Sequence, residues 1–500
     1  MDLIFQALLI ILQPVNFGLM VLAVFSGIII GAIPGLTSAV AIGLLIPFTF
    51  SFEADRAFII LLGIYVGSMY GGSIPAVLMN LPGTPGAAVT AIDGYPMTKQ
   101  GHSGEALGVS VFSSGVGGII SCLFLIFLSL QLARIALEFG GPEYFALCLF
   151  AIVIVFCLSG QSMIKGAIAA GLGLLIATVG IDTITPYPRF TFEVTELMIG
   201  MPMVPATIGL FCVAEAFRMI EAPGRIASEN RAVSGLLAVS RTIPRLWRTL
   251  LQSGLIGTFI GILPGTGATV GSYMAYNAAR ATSKVPEKFG NGAAEGVCAS
   301  ESANNAVAVG ALIPLMTLGI PGDINTLLLI GAMLIHGLIP GPTLFTENLV
   351  LVYVIFGTMV FSNLLIIVLG LTMTQWVARI ANVEKKYLIP LVLVVAITGP
   401  AISYGHIYYF WVAIGFGLLG YFCEKGGFPP LAIAMSLILG PILEYNLRSS
   451  MMLPDASILM FMQRPISALF LVLTLAVIVY SIRREIRRWR ARREPKEAEA

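Results

Sequence analysis

Charge is the first thing this chain lacks. Asp, Glu, Lys and Arg make up 11% of its 500 residues, against about 25% in soluble domains, so a soluble globular protein is excluded. Histidine is also scarce. His102, His336 and His406 stand apart with no His-Glu-x-x-His pair, which excludes a zinc protease of that type; a lone proton-relay histidine stays open. The cysteines (Cys122, Cys148, Cys157, Cys212, Cys298, Cys423) lack CxxC spacing and read as small buried hydrophobes. No Gly-x-Ser-x-Gly with a matching base is present, which argues against a membrane-embedded hydrolase acting on a lipid-linked substrate. No Gly-Lys-Ser/Thr follows a glycine loop, so a nucleotide site is rejected.

What the chain has is apolar length. It is 57% hydrophobic, with a mean hydropathy of +0.93. Apolar runs of about 20 residues recur from end to end, the length of a membrane-crossing helix. Lipid cannot satisfy an unpaired backbone, so the expected fold is an all-α polytopic membrane protein with about a dozen helices, some broken or re-entrant. The 54 glycines and 28 prolines suit packed and interrupted membrane helices. The N-terminus lacks a basic region and a small-residue cleavage site, so its first apolar segment is expected to be retained. Residues 1–12 are expected to lie along the interface, and 183–196, with two prolines and two acids, to form an exposed connection.

The chain divides at its longest polar stretch. Residues 218–248 carry Arg218, Arg225, Arg231, Arg241, Arg245 and Arg248 and read as a cytoplasmic linker by the positive-inside rule. The expected organisation is a first transmembrane repeat at 1–217, a second at 249–463, an extra terminal span at 464–482 and a basic cytoplasmic tail at 483–500. The tail holds seven arginines, Arg483, Arg484, Arg487, Arg488, Arg490, Arg492 and Arg493; it reads as a stop-transfer anchor touching anionic lipid, and nothing points to nucleic acid. Residues 1–16 have no Lys or Arg, which places the N-terminus outside. Each repeat then crosses an odd number of times, and the two homologous halves have inverted topology.

Two ordered motifs support the duplication. Gly27-x-x-x-Gly31-x-x-Pro34-Gly35 recurs as Gly257-x-x-x-Gly261-x-x-Pro264-Gly265. Pro75 and Pro82 are spaced as Pro314 and Pro321 are, and the second proline of each pair opens another Pro-Gly step, Pro82-Gly83-Thr84 and Pro321-Gly322-Asp323. A Pro-Gly step inside a membrane helix frees backbone amides and carbonyls that only protein, water or a solute can satisfy. Matched breaks in two halves point to a transporter's binding site. Half-helix N-termini suit a carboxylate, and C-terminal carbonyls suit Na⁺.

The candidate solute-binding residues follow from these breaks. They are Pro34, Gly35, Thr37 and Ser38; Ser73, Asn80, Pro82, Gly83 and Thr84; and Gly265, Thr266, Gly267 and Thr269. Close helix packing through Gly and Ser is the alternative reading of the same residues. For a cation the candidates are Asp323, Asn304, Asn305 and Glu301, because ionisable groups at membrane depth are costly without a task. Asp323 has a second reading as the cap of the helix that follows it. No resident cofactor is expected, only Na⁺ or H⁺ as a coupling ion.

The Pro34-Gly35-Leu36-Thr37 break resembles the large permease subunit of the tripartite tricarboxylate transporters. So does the stretch 70–86, continued through Asp93-Gly94-Tyr95-Pro96, as do Lys165-Gly166 to Gly180-Ile181-Asp182 and Pro188-Arg189-Phe190-Thr191-Phe192. The second-half breaks at 261–267 and Pro321-Gly322-Asp323 agree. This resemblance implies a multi-pass protein of the bacterial inner membrane that imports citrate or other small organic carboxylates with a cation gradient. It implies two partners, a periplasmic solute-binding protein and a small membrane subunit of about four helices. The rival within transport is a passive facilitator or channel.

Overall fold

A computed structural model describes residues 2–158, 162–221, 239–380, 385–453 and 457–493. The expected linker falls largely outside these residues, with Arg225 and Arg231, as do the last seven residues of the tail. The described chain is helical, mostly α with a π-helical turn at Gly209–Val213, apart from one two-stranded hairpin.

The first half opens with α1 (Asp2–Leu12), α2 (Pro14–Ala32), α3 (Ser38–Thr49) and α4 (Ala54–Gly71). It continues with α5 (Ser73–Met79), α6 (Ala87–Lys99), the long α7 (Ser103–Ala136), α8 (Gly141–Leu158) and α9 (Met163–Ala177). The hairpin β1 (Gly180–Ile181) and β2 (Pro188–Arg189), then α10 (Thr195–Met198), α11 (Met203–Ile208) and α12 (Ala214–Glu221), complete it. After α13 (Val239–Thr242) the second half runs α14 (Trp247–Ile262), α15 (Gly267–Thr282), α16 (Ala294–Gly310), α17 (Leu312–Leu318) and α18 (Ile324–Ile335). It ends with α19 (Leu344–Glu347), α20 (Leu349–Ile380), α21 (Lys385–Tyr404), α22 (Tyr408–Lys425), α23 (Pro430–Met451), α24 (Ile458–Gln463) and α25 (Pro465–Arg493).

Among the described residues, nine helical stretches are long and apolar enough to cross a membrane alone. That is fewer than the dozen expected, because breaks cut several apolar runs into pieces such as α3 and α18, each 12 residues long. Most of α1 lies exposed, with Ala7 and Ile11 buried in a cluster that includes Met20 and Val354.

The recurring glycines have a packing role. A Cβ on Gly27 would lie 2.6 Å from the Ile64 carbonyl oxygen, and one on Gly257 would lie 2.6 Å from that of Ala303. Gly31 and Gly261 meet Ser68 and Val307 in the same way. Thus α2 on α4 and α14 on α16 approach as closely as backbones can, which is what small residues at this spacing allow. The turn itself belongs to Gly35 and Gly265, with φ of 98° and 75°.

The second break is built alike in both halves. Helices α5 and α17 each span seven residues and end on a left-handed residue, Asn80 (φ 57°) and Gly319 (φ 71°). The Asn80 amide donates to Ala76 and that of Leu81 to Pro75; the Gly319 amide donates to Leu315 and that of Ile320 to Pro314. The first bond of each pair is the five-to-one bond of a left-handed cap, and the pair satisfies carbonyls that the break would otherwise strand.

Candidate functional site

Within each half the two breaks touch. The Gly83 amide donates to the Gly72 carbonyl (3.0 Å), and a Cβ on Gly83 would collide with the Gly31 carbonyl oxygen at the end of α2. In the second half the Gly265 amide donates to Gly322 (2.8 Å), and a Cβ on Gly322 would lie 2.8 Å from the Gly261 oxygen. Only glycine allows these approaches.

Between the halves, each long broken helix reaches into the other half's break. Asn304 on α16 lies against Gly86, the residue before α6, and Gly86 in turn lies 3.1 Å, measured from a Cβ placed on it, from Ala268 in the first turn of α15. Two helix N-termini, one from each half, therefore converge on Asn304. Its Nδ2 donates to the Met69 carbonyl (3.3 Å), while its Oδ1 has no partner. The neighbouring Asn305 is fully buried with neither amide atom bonded, and Thr84 Oγ1, 2% exposed as a residue, is also unpartnered. In the opposite sense Tyr65 on α4 donates to Asp323 (3.0 Å). Buried polar atoms normally find partners; here Asn304 Oδ1 and Thr84 Oγ1 have none beside the two helix N-termini. The α6 amides of Ala87, Ala88 and Val89 donate within the turn to Thr84, Pro85 and Gly86, so this region offers the positive ends of two helices and an amide oxygen suited to a cation.

The remaining candidates take different places. Pro34 is buried and Gly35 half-buried, 3.3 Å from the Met219 sulfur by its absent Cβ. Thr37 caps α3 by accepting from the Val40 amide (3.4 Å), and Ser38 is buried in its first turn. Gly267 (φ 68°) faces open space, and Thr269 is half-buried in the first turn of α15. Five of the candidates also hold structural positions of their own. Ser73 turns away from the break and donates to Glu301 Oε1 (2.5 Å). Thr266 spends its hydroxyl on the carbonyls of Ile260 (2.7 Å) and Leu263 (3.0 Å), closing the end of α14. Asn80 and Pro82 are exposed, and Asn80 occupies a position defined by its backbone. Asp323 is a helix cap: it accepts from the Thr326 amide (2.8 Å) and hydroxyl (2.7 Å), from Asn325 (2.7 Å) and from Tyr65, with a full capping box. A carboxylate with four donors is already satisfied.

Residues 17–435 match the tripartite tricarboxylate transporter TctA family. The chain belongs to that family. Two relatives come from Agrobacterium vitis. The uncharacterized 52.8 kDa protein in the TAR-I ttuC' 3' region is 35% identical over 476 residues, 95% of each chain. The uncharacterized protein in the TAR-II ttuC' 3' region is 33% identical over 231 residues, 46% of this chain and 96% of its own length. No solved structure matches. As a TctA family member the chain is a multi-pass membrane protein of a transporter family.

Several residues around the breaks of this TctA-family chain escaped the sequence reading. Tyr65 sits mid-helix in an apolar run and gave no signal. Asn325 lies two residues beyond Asp323, and its Oδ1 is buried and unpartnered. Ser110, Ser114 and Ser121 recur on one face of α7, a helical spacing that marks a polar stripe. Asp93, from the motif that carried the resemblance, clamps the α15–α16 connection. It accepts from Tyr276 (2.8 Å) and from the amides of Gly290 (2.8 Å), Gly292 (2.9 Å) and Ala293 (2.9 Å). Far from the breaks, Asp182 accepts from Arg448, and Arg189 bonds both Glu444 oxygens (2.6 and 3.1 Å), beside a cavity of about 190 Å³.

Proposed function

We propose that this chain is the permease of a secondary active carboxylate importer in the bacterial inner membrane. It takes tricarboxylates such as citrate, or dicarboxylates, from a periplasmic solute-binding protein. It works with a small four-helix membrane subunit and draws on a Na⁺ or H⁺ gradient, with its C-terminus in the cytoplasm. One observation carries the reading: two helix N-termini from different halves meet at Gly86, against the unpartnered Asn304 Oδ1, with the unpartnered Thr84 two residues before it. Helix N-termini attract carboxylates without a buried cationic side chain. Amide and backbone oxygens next to them take the cation, which offsets the solute's charge.

The matched breaks favour two inverted repeats as the moving parts. The division is 1–217 and 249–463, followed by the extra span at 464–482. Contacts of Arg218 with Glu424 and of Lys425 with Glu221 bring the ends of α12 and α22 together on the side where the linker leaves, which favours a cytoplasmic face there. Two near-equivalent packings of one repeat against the other would then expose the site alternately.

The test is uptake of radiolabelled carboxylates into proteoliposomes holding both membrane subunits, with the binding protein added and a Na⁺ or pH gradient imposed. Accumulation above equilibrium that requires a gradient supports the importer. Uptake that only equilibrates assigns the chain to passive transport instead.

A further inference from the structure

Glu301 is fully buried on α16, and the proposed solute contacts do not use it. Three hydroxyls from three other helices close around it. Ser73 on α5 donates to Oε1 (2.5 Å), Thr90 on α6 donates to the same oxygen, and Ser114 on α7 donates to Oε2 (3.0 Å). Ser110 and Ser113 add two more buried hydroxyls on α7. Among the described residues no Lys, Arg or His forms an ion pair with Glu301. Lys99, Arg134, Arg248 and Arg280, the cations of α6, α7, α14 and α15, are all exposed.

The other titratable groups on the surrounding helices are engaged elsewhere or uncharged. Tyr70 of α4 shares a hydrogen bond with Thr374, and Asp93 of α6 faces Tyr276 and backbone amides. On α7, Glu105 accepts from Thr242, and Cys122 meets the Asn363 amide. On α16, Cys298 is buried one turn before Glu301, and Glu295 accepts from Ser283. No fixed positive charge therefore holds Glu301 ionised.

We propose that Glu301 is the proton-carrying group of this permease; the proposal rests on the transport reading above. The cage chemistry favours a proton over a metal cation. Hydroxyls both donate and accept, so the same three partners satisfy the carboxylate and, after rotating, the carboxylic acid. Thr90 also meets Ser300 (3.0 Å), and Ser300 donates to Val297 (3.1 Å), so the chain of hydroxyls can reverse direction. The cage oxygens are in hydrogen-bond contact with the carboxylate, and an ion placed among them would have to force them apart.

Position supplies the coupling. Glu301 and Asn304 lie three residues apart on one face of α16, so an anion at the two helix N-termini sits about one helical turn from the carboxyl. The like charge favours the protonated form while the solute is bound. A proton enters Glu301 with the solute and leaves it when the solute does.

The experiment pairs a spectroscopic titration with transport. Infrared difference spectra of the purified protein in nanodiscs are recorded as pH is lowered, for wild type and Glu301→Gln. A carboxylic-acid carbonyl band that grows in wild type and is missing in the variant is expected. In proteoliposomes, accumulation of about tenfold per unit of imposed pH gradient, the limit for one proton per solute, falls to equilibrium in Glu301→Gln, and exchange of labelled solute loses its pH dependence. A band unchanged in Glu301→Gln, or retained pH-driven accumulation, overturns the proposal. A band abolished by Na⁺ at constant pH, with Na⁺-driven uptake lost in the variant, also overturns it and makes this a sodium site. If no carboxylate is transported under any gradient, the transport reading fails, and the infrared titration still decides whether Glu301 takes the proton. Should Glu301→Gln not fold, Ser114→Ala and Thr90→Val are expected to shift the midpoint of the same band; an unmoved midpoint overturns the assignment.

Discussion

Asn80 separates two explanations of one residue. Its backbone is left-handed (φ 57°, ψ 30°) at the end of α5, where the matching end of α17 carries Gly319 (φ 71°, ψ 20°). A Cβ in this conformation costs about 1–2 kcal/mol, which Asn partly recovers through its short polar side chain and Gly avoids. Replacement by alanine keeps the Cβ and removes that recovery. Asn80→Ala is therefore expected to cost about 1 kcal/mol, a roughly fivefold loss in the population of this terminus. For a chain of this size that corresponds to a melting shift of about 1–2 °C. Asn80→Gly is expected to match or exceed wild-type stability. Melting by intrinsic fluorescence in detergent and solute uptake in proteoliposomes are read side by side. If the backbone sets this residue, uptake survives in Asn80→Gly and falls only modestly in Asn80→Ala. Equal and near-complete loss of uptake in both variants, with melting unchanged, would falsify the backbone account and return Asn80 to the solute site.

Three other perturbations test the packing around the breaks. Gly83→Ala forces a methyl onto the Gly31 carbonyl and is expected to cost about 1–3 kcal/mol; Gly322→Ala, with 2.8 Å to the Gly261 oxygen, is expected to melt higher than Gly83→Ala, and the reverse order would contradict the described geometry. Asp323→Asn keeps a good helix cap but gives up acceptance from Tyr65 and Asn325, so about 2–3 kcal/mol of stability is lost while gradient dependence of uptake persists. Loss of gradient dependence at unchanged melting would give Asp323 a coupling role instead. In the 178–202 connection, the Arg448 hydrogen bond and then the Ile184 amide hold the Asp182 carboxyl well below the usual carboxylate range. A lowered folded-state value means that this contribution is complete above the ordinary carboxylate value of about 3.9 and is lost as pH falls through the lowered one. Arg448→Gln is therefore expected to speed protease cleavage of the connection at neutral pH, whereas the wild type stays protected as pH approaches 4; equal cleavage of the two at neutral pH would count against the pairing.

Much of the architecture was legible in the residues because its rules are local. Low charge and long apolar runs determine a polytopic helical chain, since lipid leaves no other way to satisfy the backbone. Pro34-Gly35, Pro82-Gly83, Pro264-Gly265 and Pro321-Gly322 mark the helix interruptions, since proline removes a donor and glycine admits the turn. The left-handed geometry at Gly319 is likewise a property of its residue type. Asn80 also holds a left-handed backbone that its residue type tolerates.

The site's composition was decided over long distances. Ser73 and Thr266 have the hydroxyls a solute site needs, but tertiary packing points one at Glu301 and folds the other back onto α14. Glu301 meets partners 187 to 228 residues away, and Tyr65 meets Asp323 across 258. Sequence patterns determine where a backbone must break. Which buried polar atoms then find partners, and which are left facing the breaks, depends on helices brought together from both halves of the chain, because a hydrogen bond is set by distance in space and not by separation along the sequence.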